Sequence, residues 1–169
     1  MVTDEALLER ARVAAASVTD PELPPLTIDD LGILRDVHLD DGTVVVAITP
    51  TYSGCPAMRE IADAIVTAVR ETGVEKVLVR QVLTPAWTTD WLTEIARGKL
   101  LDLGIVPPER GQGTTALFGR TDLGCPRCHS TKTERISAFG STACKALHRC
   151  LDCREPFEAF KCHRSDRQN

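Results

Sequence analysis

Aromatic residues are scarce in this chain: four Phe, two Trp and one Tyr, 4% of 169 residues. Any core must be assembled from Val, Ile, Leu and Ala, which supply most of the 43% hydrophobic content. Long apolar runs are also missing. No stretch reaches the ~18 apolar residues that mark a membrane span. The opening "MVTDEALLERARVAAAS" carries acids where a secretory leader has its apolar centre. A cytoplasmic location is expected, with no membrane partner. Two catalytic signatures are absent as well. There is no Glu-x-x-His pair of the kind that builds a di-iron centre between long helices, and no Gly-rich dinucleotide fingerprint.

What is present is unevenly distributed. Residues 1–124 hold 11 Lys/Arg against 19 Asp/Glu, or −8, while residues 125–169 hold 9 against 5, or +4, within a net charge of −4. Such asymmetry points to two modules. A basic end could serve nucleic acid. Four thiolates around one dication would add −2, however, and leave it only weakly positive. Nucleic acid is therefore not the expected partner. Of the seven Cys, six fall in the last 45 residues. In a reducing compartment that clustering reads as metal binding before disulfides.

Residues 1–106 read as an α+β domain of order α-β-β-α-β-α. "TDEALLERARVAAASV" places Leu7, Ala11, Ala14 and Val18 at helical spacing, and "TDPELPP" ends that helix. "GILRDVHL" and "GTVVVAIT" are strands joined by Asp40-Asp41-Gly42, a hairpin signal that leaves His38 facing solvent. "PAMREIADAIVTAVRETG" reads as a helix with Met58, Ile61, Ile65 and Val69 inward and Gly73 at its end. "VEKVLVRQVL" is a strand, and "TTDWLTEIARGKLLDLG" a last helix. Residues 107–124 form a Gly- and Pro-bearing linker, and 125–169 a zinc-ribbon-like β module.

That module carries "CPRC" at 125–128 and "CLDC" at 150–153. Each C-x-x-C forms a knuckle presenting two sulfurs to one ion. A hairpin turning near Phe139-Gly140-Ser141 brings the knuckles together. Cys125, Cys128, Cys150 and Cys153 thus make a closed tetrahedral set, suited to structural Zn²⁺ and also acceptable to iron or a cluster. Cys144 and Cys162 are left over. They read either as small buried hydrophobes or as a second thiol site with His148 or His163, because Cys144, His148 and Cys150 alternate onto one strand face. His129 reads as a surface residue.

"TPTYSGCPA" places Cys55 between Gly54 and Pro56. Pro favours the first helical position, which makes Cys55 the expected N-cap, its sulfur against the unpaired amides that favour thiolate. No His follows closely as a base, so a hydrolytic nucleophile fits poorly. A metal-handling or transfer thiol fits better, with Asp20 and Glu22 of "DPELP" as candidate partners. Those two also read simply as turn residues beside prolines.

"DPELPPLTIDDLGILRDV", the hairpin and "TPTYSGCPA" together resemble the small iron–sulfur-assembly domain family, over residues 4 to about 106. The resemblance implies an α+β fold, a role in maturing iron–sulfur proteins, and a functional cysteine at Cys55. "TPAWTTDWLTEIARGKLLDLGIVPP" followed by the cysteine pairs is similar to the family of accessory D subunits of phenylacetyl-CoA epoxidase systems. It implies phenylacetate catabolism, in which a di-iron oxygenase works with an iron–sulfur reductase, and an accessory maturation role in that system. Cys55 is then expected to handle transient iron or iron–sulfur cargo for one of those components as client, beside a structural zinc in the ribbon. The rival readings are a scaffold subunit with an inert Cys55 and a thiol-dependent enzyme subunit that uses it.

Overall fold

A computed structural model describes residues 4–52, 54–108 and 123–161. Within it the chain forms two compact units, residues 1–87 and 88–169.

In the first unit, α1 (Asp4–Ala16) buries Ala11 and Ala15 and packs against α2 (Ala57–Glu71). Small side chains at the contact allow close approach. The helix α2 buries Ala57, Met58, Ile61, Ile65 and Val69, the stripe expected at 3.6 residues per turn. Three strands form the main sheet, in the order β3 (Leu34–Asp40), β4 (Thr43–Ile48), β5 (Val77–Gln81). The β3–β4 pair is antiparallel and the β4–β5 pair parallel. Asp41 and Gly42 have φ of 43° and 70°, the left-handed pair that a tight hairpin requires. As the central strand, β4 is buried continuously from Val44 to Ile48.

The "DPELPP" stretch is more ordered than a simple helix stop. It forms a small antiparallel ladder, β1 (Thr19–Asp20) with β2 (Leu23–Thr27). Pro24 and Pro25 are exposed there, so a two-stranded ladder tolerates their missing donors. The unit ends at Trp87, whose indole N–H donates to the Leu31 carbonyl at 2.8 Å.

The second unit begins earlier than the sequence-based boundary at 106. A 3₁₀ turn (Thr89–Trp91) and α3 (Glu94–Asp102) replace the single helix expected over "TTDWLTEIARGKLLDLG". Thr88 caps the turn through Asp90 N–H and Thr93 caps α3 through Ala96 N–H, each at 3.0 Å. The buried Arg97 guanidinium donates to the carbonyls of Thr89 and Pro108 and ties both ends of this segment together. β6 (Ile105–Val106) then pairs in parallel with β9 (Pro156–Phe160). That pairing is why residues 88–106 group with the ribbon. The sheet runs β6, β9, β8 (Lys145–Cys150), β7 (Thr133–Ser137).

The β7–β8 connection turns at residues 142–145, just after the expected Phe139-Gly140-Ser141, and the Lys145 N–H donates there to the Thr142 carbonyl at 3.2 Å. The buried Lys145 ammonium lies 2.9 Å from Glu158, whose carboxylate also accepts from the Ser141 hydroxyl at 3.1 Å. A Cβ on Gly140 would collide with this Glu158 carboxylate and crowd Lys145 Cβ. Gly140→Ala is therefore expected to destabilise the second unit by about 1–3 kcal/mol through overpacking. Thermal unfolding of the metal-loaded variant would show it as a lowered transition. An unchanged transition would mean that the carboxylate swings away freely.

Candidate functional site

Two groups of chemistry-bearing side chains emerge. The first is built by the paired knuckles. Cys125 and Cys128 sit on the turn that precedes β7. Cys150 closes β8, and Cys153 sits on the turn before β9. The four sulfurs lie within 4.8 Å of one another. The Cys125–Cys153 and Cys128–Cys150 separations are 3.6 and 3.5 Å. Metal–sulfur bonds of ~2.3 Å imply tetrahedral edges of roughly 3.8 Å, whereas a disulfide needs ~2.05 Å. The set therefore fits a four-thiolate metal site, and all four cysteines are free thiols.

The electrostatics of the cluster agree. Cys150 is drawn down to about 7, first by the Cys153 backbone amide and then by that of Asp152. Cys153 is pushed up to about 12. The Glu155 amide stabilises its thiolate, but burial and the hydrogen bonds of neighbouring sulfurs outweigh that. One thiolate is easily formed here and the next is opposed. A dication at the centre removes that opposition.

Four cations of the described module are engaged in ion pairs. Arg127, Lys132, Lys145 and Arg149 each sit against a carboxylate, from Glu155, Asp152, Glu158 and Glu134. Lys161 lies 4.1 Å above the Phe139 ring.

The leftover thiols are placed differently. Cys144 is buried, its sulfur 3.0 Å from the Thr142 hydroxyl. His148 is buried two residues before Cys150 and stacks on Phe157 at 5.6 Å between ring centroids. Burial, then the nearby Arg135 charge, lowers its pKa. Cys144 lies on the turn just before β8 and His148 within that strand, both buried, but among the described residues neither joins a cluster of three or more ligand atoms. Cys162 and His163, the other members of the expected second site, lie outside the described residues. His129 is exposed in a left-handed conformation (φ 61°), and His38 is half-exposed, 2.7 Å from Asp36.

The second group surrounds Cys55, on the loop between β4 and α2. Gly54 takes a φ of +82°, open to glycine with little strain. The Cys55 N–H closes the turn onto the Tyr52 carbonyl at 3.3 Å. The cap is one residue later than expected. Pro56 occupies it, already at helical φ of −67°, and α2 begins at Ala57. The Cys55 sulfur still meets the helix start, because the Ala57 N–H donates to it.

The expected thiolate is not what this setting favours. Burial raises the Cys55 pKa, and the negative charges of Glu22 and Asp20 raise it further. The Ala57 amide and the Tyr52 hydroxyl pull down and do not prevail. The half-buried sulfur thus rests as a neutral thiol within the field of both carboxylates. Asp20 is buried, and one of its oxygens accepts the N–H groups of Glu22 and Leu23 at 2.8 and 3.0 Å. It therefore serves as a turn residue and a charge facing the thiol at once. Among the described residues, Cys55, Asp20 and Glu22 do not form a ready-made cluster of ligand atoms. Tyr52 was not indicated by the sequence pattern. Its contact arises from a turn whose shape depends on Gly54.

Two measurements follow from this geometry. Glu22→Gln removes a negative charge that raises the Cys55 pKa, so the thiolate should form at lower pH. The pH profile of Cys55 alkylation should shift downward, with faster alkylation below the wild-type midpoint; an unmoved or upward-shifted profile would contradict the charge assignment. Chelation of the ribbon metal should abolish amide-exchange protection in β7 to β9, because ligation supplies much of a small module's folding energy. Retained protection would show that apolar packing suffices.

Residues 9–80 match the iron–sulfur cluster assembly protein family, and residues 109–161 match the PaaD zinc beta ribbon domain. The chain is 50% identical over 147 residues, 87% of its own length and 88% of the relative's, to an Escherichia coli (strain K12) protein provisionally named as the D subunit of 1,2-phenylacetyl-CoA epoxidase. It is 35% identical over 96 residues to the Fe-S protein maturation auxiliary factor YitW of Bacillus subtilis (strain 168), covering 56% of this chain and 93% of that one. A crystal structure of a domain of unknown function (DUF59) from Bacillus anthracis superposes with a TM-score of 0.52 at 27% identity, over 57% of this chain and 92% of that one. An α+β assembly-type domain followed by a four-cysteine ribbon, with this identity over most of both chains, shows that the chain belongs to the family of phenylacetyl-CoA epoxidase D subunits.

Proposed function

We propose that the chain is an accessory factor that matures a metallocentre, loading iron or an iron–sulfur cluster into a client of the phenylacetyl-CoA epoxidase system. The observation that carries this reading is Cys55, half-buried at the start of α2 within the field of Glu22 and Asp20. The carboxylates that oppose a bare thiolate create the negative potential that draws in a cation. When a cation arrives, the same site favours loss of the thiol proton. Cys55 then supplies one sulfur, with Asp20 and Glu22 close enough to steady the charge. A single thiolate releases its cargo more readily than a four-thiolate set would. The cargo is metal in transit, and its recipient is the iron–sulfur reductase or di-iron oxygenase component.

In the ribbon, Cys125, Cys128, Cys150 and Cys153 would hold a resident zinc whose role is structural. Family membership supports zinc there, through the match to a zinc beta ribbon domain. A reducing compartment such as the cytoplasm suits free thiols used in this way. Among the described residues no helix is long and apolar enough to cross a membrane.

The test is Cys55→Ala in cells grown on phenylacetate. The variant should keep its fold and one ribbon metal. The client purified from those cells should lose most of its iron, and growth should slow several-fold. Epoxidase assembled from already loaded client should be unaffected by adding the variant. Normal client iron and normal growth would remove the transfer role and leave a scaffold.

A further inference from the structure

The four ribbon sulfurs are not equally protected. Cys125 and Cys150 are buried at 1% and 0% exposure, and Cys153 is half-buried, whereas Cys128 is exposed. Structural four-thiolate sites are closed, with no open coordination position. This one nevertheless includes an exposed cysteine at the end of the first knuckle. The Cys128 sulfur is 3.5 Å from that of Cys150, while Cys125 lies 3.6 Å from Cys153. The cluster therefore pairs one exposed cysteine with a fully buried one whose sulfur is 3.5 Å away.

We infer that Cys128 is an oxidation site through which the ribbon releases its metal, with Cys150 as the resolving thiol and a hydroperoxide as the oxidant. In the first step the Cys128 sulfur attacks the peroxide. An S–O bond forms, the O–O bond breaks, and the distal oxygen leaves as hydroxide or alkoxide. Sulfur is oxidised by two electrons and the peroxide is reduced by two. In the second step the Cys150 thiolate attacks the Cys128 sulfur. An S–S bond forms, the S–O bond breaks, and hydroxide leaves. For hydrogen peroxide, two thiolates and one oxidant become one disulfide and two hydroxides. The 3.5 Å gap must close by about 1.5 Å to reach bonding distance. Cys125 and Cys153 remain as two ligands, too few to hold the dication.

Exposure sets the order of events. Around one dication all four are thiolates, and Cys150 is shielded by burial and by the Cys153 N–H at 3.5 Å, so the exposed Cys128 reacts first. This inference stands apart from the role proposed for Cys55.

The experiment uses zinc-loaded, full-length protein treated with hydrogen peroxide in small increments. A chromogenic chelator reads the zinc released. Differential alkylation and peptide mass mapping read each cysteine, with Cys55 scored separately. Cys128 should lose reactivity first, and a Cys128–Cys150 linked peptide should appear in step with zinc release. Cys128→His keeps four ligands while removing the exposed sulfur, and it should release zinc on the order of tenfold more slowly. A first linkage between Cys125 and Cys153, zinc release before any change at Cys128, or wild-type release from Cys128→His overturns the assignment. Should that variant hold no zinc, the wild-type peptide map decides alone.

Discussion

Four sulfurs within 4.8 Å of one another hold the second unit together. The apolar cluster at that place consists of Cys125, Cys150 and Phe157, with Val106, Leu123 and Cys153 packed against it. Half of its members are sulfur ligands, so packing and ligation are the same event. Such a cluster alone is small beside the entropy of ordering a short, loop-rich sheet. The same sheet carries the Lys145–Glu158 pair, the stacked His148 and the parallel strand β6. The exposed ion pairs that join the knuckles add little by comparison.

The first unit rests on ordinary apolar packing, and this leaves its cysteine available for chemistry. Leu26, Ile28, Ile33, Ile48, Ile61 and Ile65 are almost fully buried there. Cys55 is not part of that interior. Its place at the end of a central strand and the start of a helix is where many α/β proteins put their ligands, because backbone donors converge there. Burial and the charges of Glu22 and Asp20 raise the thiol's pKa and favour its protonated form. The two cysteine environments thus differ in kind. The ribbon surrounds its ion with four ligands, while Cys55 offers one.

Much of this was legible in the residues themselves. Asp41-Gly42 specifies a hairpin because both positions require positive φ. The α2 stripe is fixed by Met58, Ile61, Ile65 and Val69. The paired C-x-x-C spacing carries the metal site, since each knuckle is a local structure. Other features were not legible, because they depend on residues distant in sequence. The Cys55 pKa is set by burial and by Glu22 and Asp20, more than thirty positions away, whereas a helix-start argument sees only neighbours. The unit boundary at 87 follows from β6 reaching β9 across fifty residues. The β1–β2 ladder was hidden by prolines that ordinarily argue against a strand.

The parallel pairing of β4 with β5 has a consequence for biosynthesis. A parallel neighbour cannot be reached by a tight turn, so residues 49–76 must cross over the sheet before β5 can dock. Cys55 lies near the start of that crossover. During translation the β3–β4 hairpin can close from local contacts alone, while the segment that seats α2 is still being made. The thiol therefore leaves the ribosome before the structure that buries it is complete. Ala57, whose N–H donates to the sulfur, and the rest of α2 emerge after it, which makes the nascent chain the form in which Cys55 is least guarded.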